Sequence, residues 1–300
     1  MGWRVLYIEE SDKLSLYLDN IKVTKNDEEY LILISDVHTI ILDNYKINIS
    51  VHLINALTKA NVNIILCGID HLPQSIIIPH HGNKLAFKML NKQLSWNNNK
   101  KIKTKIHQHI IKNKIKNQNK LLKFLKKESK TIAILDRYYE EVDLGDKTNR
   151  EGLSAKLYFV EMFGKHFIRF NDDVINAGLN YGYAILRSQI SKVLVAKGFN
   201  TSIGIFHKNR ENEFNLSDDI IEPYRPIIDF HVYSNLRDQK LFLKEHRLNL
   251  VKATIANVSI DNKRQTLFNS IKIFVEGIIN YCKSKDDKDL KEININYEKL

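Results

Sequence analysis

Apolar and polar positions alternate with a period of two along the N-terminal stretch and with a helical period after it. Val5, Tyr7 and Ile8 open the first run. Leu14, Leu16 and Leu18 alternate with polar neighbours, and Ile21 and Val23 follow the turn-like Asp19-Asn20 pair. Further apolar runs cover Tyr30 to Ser35, Thr39 to Leu42 and Ile47 to Ile49. These read as short strands. One short helix is expected from Val51 to Ala60, with Ser50 as its N-cap. A largely apolar strand from Val62 to Cys67 ends at Gly68, and a last one from Ser75 to Ile78 ends at Pro79. The adjacent His80-His81 pair points its two side chains in different directions and is a poor metal site.

Beyond Gly82 no glycine occurs until Gly145, and helical patterns take over. Ile102, Ile106, Ile110, Ile115, Leu122 and Leu125 trace an approximate stripe, with the lysines mostly off it, so a helix with a solvent-facing lysine side is expected. A second helix opens near Thr148 and runs through Tyr158 to Phe163. Thr148-x-x-Glu151 has the capping-box spacing, so Glu151 either reaches back to the Thr148 amide or serves a function. Asp172 or Asp173 caps a third helix that runs to about Val195 and ends at Gly198. On it Asn176, Asn180 and Tyr183 share one face, as a packed interface or as a hydrogen-bonded support. Ile203 to Phe206 reads as extended, with His207 at its end. Ser217 is the expected cap of the next helix, where Asp218 and Asp219 suit the first-turn dipole. Glu222 lies too deep for that role, at a bend set by Pro223 and Pro226. Helical turns follow over Asp229 to Asn235 and Lys240 to Ala256, then an extended piece from Val258 to Lys263 and an amphipathic helix from Phe268 to Cys282. The sign-mixed tail from Lys283 is expected to fray. The pattern predicts an α+β protein: a small β-rich domain over 1–79, a linker over 80–84, and a larger, mostly α-helical domain over 85–300.

Charge changes this picture more than composition does. The chain has 300 residues, 43% hydrophobic, and a net charge of +11. Between Lys92 and Lys130 there are 13 lysines and one acid, Glu128, so nearly all the excess charge sits in one stretch. Such concentration points to a polyanion, with Lys101, Lys103, Lys105, Lys112 and Lys116 as candidates to hold a nucleic-acid backbone without reading sequence. Cys67 and Cys282 lie in no metal-binding or disulfide spacing and read as buried free thiols. The start stops at Glu9-Glu10 and is not a signal peptide, and the longest apolar run is too short to span a bilayer, so a cytoplasmic location is expected. No Walker loop, GxGxxG or Ser-His-Asp order is present. The remaining chemistry is an imidazole, His207, followed by several carboxylates, with Glu151 far upstream as a further possible ligand.

Three ordered motifs carry a family resemblance. They are Leu144-Gly145-Asp146-x-Thr148-Asn149-Arg150-Glu151-Gly152, then Asn176-Ala177-x-Leu179-Asn180-Tyr181-Gly182-Tyr183, then Gly204-Ile205-Phe206-His207 with Asp219-Ile220-Ile221-Glu222-Pro223-Tyr224-Arg225-Pro226. Together with the Met1-Gly2-Trp3-Arg4 start, they make the chain resemble the CRISPR-associated Cas-one (Cas1) proteins, the endonuclease/integrase of spacer acquisition, and most closely the type II branch. The resemblance implies a metal-binding and catalytic triad at Glu151, His207 and Glu222. Many relatives outside the type II branch carry Asp at the third position, and Glu is the usual type II form. Two carboxylates and one imidazole suit Mg²⁺ or Mn²⁺. Arg150 and Arg225 would orient phosphate, with Asn176, Asn180 and Tyr183 supporting the site. The implied partners are double-stranded DNA (protospacer and CRISPR repeat), a second copy joined through the β domains, a Cas-two (Cas2) dimer, and other type II adaptation proteins including the Cas-nine (Cas9) effector. No covalent enzyme intermediate is implied. Two other readings stand beside it: a non-catalytic basic DNA-binding scaffold in which Glu151 only caps and His207 is only structural, and a DNA-repair nuclease outside CRISPR biology.

Overall fold

The period-two segments pair as strands in two sheets. In the computed structural model, which describes residues 2, 4–77 and 86–300, the chain divides into two units, Met1–Gly82 and Asn83–Leu300. The His80-His81 pair and the expected linker lie outside the described residues. In the first unit β1 (Arg4–Ile8), β5 (Val37–Leu42) and β7 (Asn63–Cys67) run parallel, and β8 (Pro73–Ile77) closes that sheet antiparallel to β7. The second sheet has the order β4 (Glu28–Leu33), β3 (Asn20–Lys25), β2 (Lys13–Tyr17), β6 (Asn48–Ile49). Leu14, Ile21, Ile40 and Ile64 fill the core together with Leu53 and Leu57 of α1 (Val51–Lys59). Ser50 caps α1 as expected, accepting from Leu53 N at 3.2 Å. Leu18, expected within a strand, forms the β2–β3 turn instead: its φ is +51° and its side chain is exposed.

The second unit is helical, and one helix runs through its middle. α2 (Ala86–Asn98) precedes α3 (Lys100–Phe124), and α4 (Ser129–Glu141), α5 (Arg150–Phe163) and α6 (Val174–Ala196) follow. Next come α7 (Asn215–Ile221), a 3-10 turn over Glu222–Tyr224, α8 (Arg225–Leu236), α9 (Lys244–Ala253) and α10 (Leu267–Ser284). Between α9 and α10 the expected single extended piece is a hairpin, β9 (Asn257–Ile260) and β10 (Lys263–Thr266). Asp261 and Asn262 turn it at φ +47° and +61°.

Two expectations fail here, for one reason. α3 is not a surface helix: from Ile110 to Leu122 most of its residues are buried, including Asn113, Lys114, Asn117, Gln118 and Asn119. The tail after Lys283 does not fray: β11 (Ile293–Asn294) pairs with β9, and Ile293, Ile295 and Tyr297 are buried. The amides of α3 substitute for backbone partners. Asn113 Oδ1 accepts from Ile293 N at 2.9 Å, Asn117 Nδ2 donates to Ile293 O and to Pro223 O at 3.1 Å each, and Tyr297 donates to Asn117 O at 2.8 Å. A polar residue can be buried when its bonds are made inside the protein, which hydropathy alone does not register. The tail also answers part of the lysine charge, through Lys105–Asp287 at 2.7 Å and Lys116–Glu292 at 2.6 Å. Both cysteines are buried and unbridged, as expected. No helix among the described residues is long and apolar enough to cross a membrane.

Candidate active site

The first turn of α5 decides what Glu151 is for. Asn149 is the N-cap, in the left-handed region at φ +52°, and accepts from Gly152 N at 3.2 Å. Asp146 takes the next donors, Arg150 N at 2.8 Å and Glu151 N at 2.9 Å. A Cβ at 152 would lie 2.7 Å from Asn149 Oδ1, so a side chain there would displace the Asn149 cap. With the helix start satisfied by Asn149 and Asp146, the capping box at Thr148 does not form. The Glu151 carboxylate points instead to Lys114 of α3, with Nζ–Oε1 at 2.7 Å.

His207 is held by Asp219. This carboxylate, 3% exposed, accepts from the backbone N–H of Ile205, Phe206 and His207 and from His207 Nδ1 at 2.7 Å. The turn has no room for a side chain at 204, where a Cβ would meet His207 O at 2.3 Å. α2 supports the approach: Gln93 Nε2 donates to Asn200 O and Ile203 O at 2.8 Å each. The Asp219 hydrogen bond raises the His207 pKa against the effect of burial, and by occupying Nδ1 it leaves Nε2 for other partners. Asp219 is therefore no helix cap. Ser217 is not one either: it lies inside α7, with its Oγ 2.8 Å from Ser191 Oγ. Asp218 bonds Asn212 Nδ2 at 2.7 Å.

Glu222 opens the 3-10 turn between α7 and α8, where Pro223 interrupts regular helix. It is 4% exposed, with Arg225 Nε at 2.9 Å from Oε1 and Lys114 Nζ at 2.6 Å from Oε2. Burial alone would raise its pKa, but Arg225 and Lys114 outweigh burial and hold the carboxyl down to about 2. Burial would lower the Lys114 pKa, but Glu222 and Glu151 outweigh it and raise the value. Lys114 thus joins both glutamates. It was expected among the solvent-facing lysines and is instead one of the most enclosed.

Around this centre the structure gathers some predicted residues and turns others away. Arg225 lies over the Tyr183 ring, 4.4 Å from its centroid. Asn176 and Asn180 share one partner, Arg169, at 2.8 and 2.7 Å. Asp173, rather than Asp172, caps α6, accepting from Asn176 N at 2.7 Å. Arg150 is not brought to the glutamates; it pairs with Glu141 at 3.0 Å. Of the candidate lysines, Lys101 is exposed, Lys103 is half-buried, and Lys112 lies 4.9 Å over the Tyr139 ring.

Sequence reasoning missed Lys114, His107, Arg169 and the role of Asp219. His107 and Lys114 stand seven residues apart beside the apolar stripe of α3, and a titratable pair on an inward face was the available signal.

Tyr183 and Tyr158 both donate to Asp229, which is 1% exposed. Burial pushes the Asp229 carboxyl up to about 6, against the lowering effect of the tyrosines. The folded state keeps this proton to higher pH than the unfolded chain, so stability is lost as pH rises from about 4 through about 6. Asp229→Asn has no such loss. Its stability relative to wild type is expected to rise by on the order of 3 kcal/mol across that window, read from urea midpoints at each pH. A constant difference between the two proteins would exclude the buried acid.

The donor set fits a divalent cation. Glu222 Oε2 meets the Lys114 ammonium at 2.6 Å, and among the described residues neither ring nitrogen of His107 has a hydrogen-bond partner. Glu151, His207 and Glu222 are nevertheless not drawn within 4.8 Å of one another, and Lys114 stands between the glutamates; the group that is drawn that close among the described residues is Glu9, Asp43 and His71 in the β unit. There Asp43 already accepts from Tyr7 and meets His71 Nδ1 at 2.8 Å.

Residues 6–257 match the family model described as CRISPR associated protein Cas1. The CRISPR-associated endonuclease Cas1 of Neisseria meningitidis serogroup C (strain 8013) is 30% identical over 98% of this chain and 96% of its own length. Two solved structures share the fold. A casposase bound to integration product has a TM-score of 0.76 at 20% identity, with 96% of this chain and 92% of that one covered. A Cas6-RT-Cas1–Cas2 complex has a TM-score of 0.73 at 19% identity, with 97% of this chain and 36% of that one covered. On the match over most of its length, the chain belongs to the CRISPR-associated Cas1 family.

Proposed function

We propose that this Cas1 endonuclease/integrase inserts new DNA into a CRISPR repeat array through a Mg²⁺ or Mn²⁺ site formed by Glu151, His207 and Glu222. The observation that carries the reading is the convergence of Glu151 and Glu222, from α5 and from the 3-10 turn, on one buried cation, Lys114 Nζ, at 2.7 and 2.6 Å. Two carboxylates folded to share a positive charge are the donors a divalent metal uses. When bound, such an ion supplies a Lewis acid beside the scissile phosphate. The chain's own residues do the rest. Asp219 fixes the His207 ring, and Arg225 keeps Glu222 ionised and offers its remaining N–H groups toward phosphate. A DNA 3′-hydroxyl oxygen attacks phosphorus, the bond to the target strand's 3′ oxygen breaks, and that oxygen leaves carrying the proton. One phosphodiester replaces another, so no energy cofactor is needed, and water as nucleophile gives hydrolysis instead.

The partners proposed are duplex DNA and Cas2; the Cas2-containing complex that shares the fold supports the latter. A homodimer through the β unit and a link to Cas9 belong to the same reading. The decisive experiment mixes the purified chain and Cas2 with a short duplex and a supercoiled plasmid carrying a repeat. Joined product is expected with Mn²⁺ or Mg²⁺ and none with a chelator. Duplex binding without joining under either metal would leave the scaffold reading in its place.

The lysines separate by their partners. Changing Lys101 and Lys112 to Gln is expected to weaken duplex binding alike for all sequences and to flatten its salt dependence by about one unit of slope each. The same change at Lys105 and Lys116, which face Asp287 and Glu292, is expected to do less. Equal slopes from the two pairs would remove the tail's screening role.

A further inference from the structure

His107 stands outside the family triad, yet it is aimed at it. Its side chain is 5% exposed, and its ring lies flat on Phe206, with centroids 4.0 Å apart and 11° between planes. That stacking turns Nε2 toward Glu151 Oε2, at 3.9 Å. Neither ring nitrogen has a hydrogen-bond partner among the described residues. A buried imidazole whose two nitrogens find no hydrogen bond from the surrounding protein groups carries a desolvation penalty that packing on Phe206 does not offset. The 3.9 Å separation is too long for a hydrogen bond. It is near the spacing of two donors on one ion: atoms each about 2.1 Å from a shared cation lie about 3–4 Å apart.

Two neighbouring features point to the same place. Glu222 Oε2 shares the Lys114 ammonium with Glu151, at 2.6 Å. His207 has its Nδ1 tied to Asp219, which leaves Nε2 for coordination. We propose that His107 is a fourth protein donor to the divalent cation of this site, so that the ion meets two imidazoles and two carboxylates. The proposal rests on the reading of Glu151, His207 and Glu222 as ligands. It makes Phe206 a positioning residue, which sets the plane of the His107 ring. A second nitrogen donor moves the preference of the site from Mg²⁺, which favours oxygen, toward Mn²⁺.

The test uses the full chain without DNA, loaded with Mn²⁺, and with its histidines labelled with ¹⁵N. Pulsed electron paramagnetic resonance of the wild type is expected to show two directly coordinated histidine nitrogens. His107→Phe keeps the ring stacking and removes the donors. It should leave one such nitrogen and weaken Mn²⁺ binding, by calorimetry, at least about tenfold, with a smaller change for Mg²⁺. A single coordinated nitrogen in the wild type, lost in His207→Ala, overturns the proposal and leaves the triad intact. No coordinated nitrogen overturns the triad reading with it. Unchanged Mn²⁺ affinity in His107→Phe also overturns the proposal. The wild-type spectrum decides the matter even where a variant fails to fold.

Discussion

Glu151→Gln is expected to reduce strand transfer by about 10³-fold or more while leaving α5 folded. The size follows from the chemistry: a Lewis acid beside a phosphate contributes several kcal/mol to the transition state, and each 1.4 kcal/mol is about tenfold in rate. The amide keeps the shape of the side chain and one acceptor for Lys114, but not the charge. The helix start does not depend on it, because Asn149 and Asp146 take the first-turn donors. Asn149→Ala provides the contrast. It removes the cap and replaces an asparagine, which tolerates the left-handed region, with an alanine that favours φ +52° less, and it is expected to lower stability by about 1–2 kcal/mol. Joining assays at saturating Mn²⁺, with thermal unfolding of the same samples, read both effects. Wild-type joining by Glu151→Gln would return that residue to a structural role.

Lys114→Met is expected to lower the melting temperature by about 10 °C in metal-free protein, and Mn²⁺ is expected to recover more of it than it adds to wild type. Removing one partner of a buried ion pair leaves an uncompensated charge, at about 3–5 kcal/mol, and each kcal/mol is worth roughly 2–4 °C in a chain of this size. Arg225 still faces Glu222, which places the effect at the low end of that range. A cation between the two glutamates replaces the charge that methionine lacks, so the variant should also bind Mn²⁺ more tightly than wild type. A melting temperature within about 2 °C of wild type, or an equal Mn²⁺ gain in both proteins, would show that Lys114 is not the counter-ion of this site.

Local and long-range information fix different parts of this site. Ser50 capping α1 and the break at Pro223 are local, and their residues carry the signal in their own conformational preferences; Asp261-Asn262 carries the same turn signal, but the run from Val258 to Lys263 reads as extended until the strands pair around it. Glu151 is the intermediate case. Thr148-x-x-Glu151 reads as a capping box, and only the left-handed conformation of Asn149 and the reach of Asp146 make that cap redundant. Asp219 is harder still. In sequence it is one more acid near a helix start, while in the fold it gathers the N–H groups of a loop that begins 14 residues earlier.

By itself the sequence determined the α+β class, the strand-then-helix order, the cap of α1, the concentration of charge in one stretch and the family to which the chain belongs. These depend on periodicity, local conformational preference and ordered motifs, all of which survive when neighbours in space are unknown. Only the tertiary structure decided that α3 is a buried axis, that the tail lies along it, and that Lys114 and His107 face the glutamates. A polar residue is buried or solvated according to the partners that other segments bring to it, and those partners stand about 40 to 180 positions away along the chain.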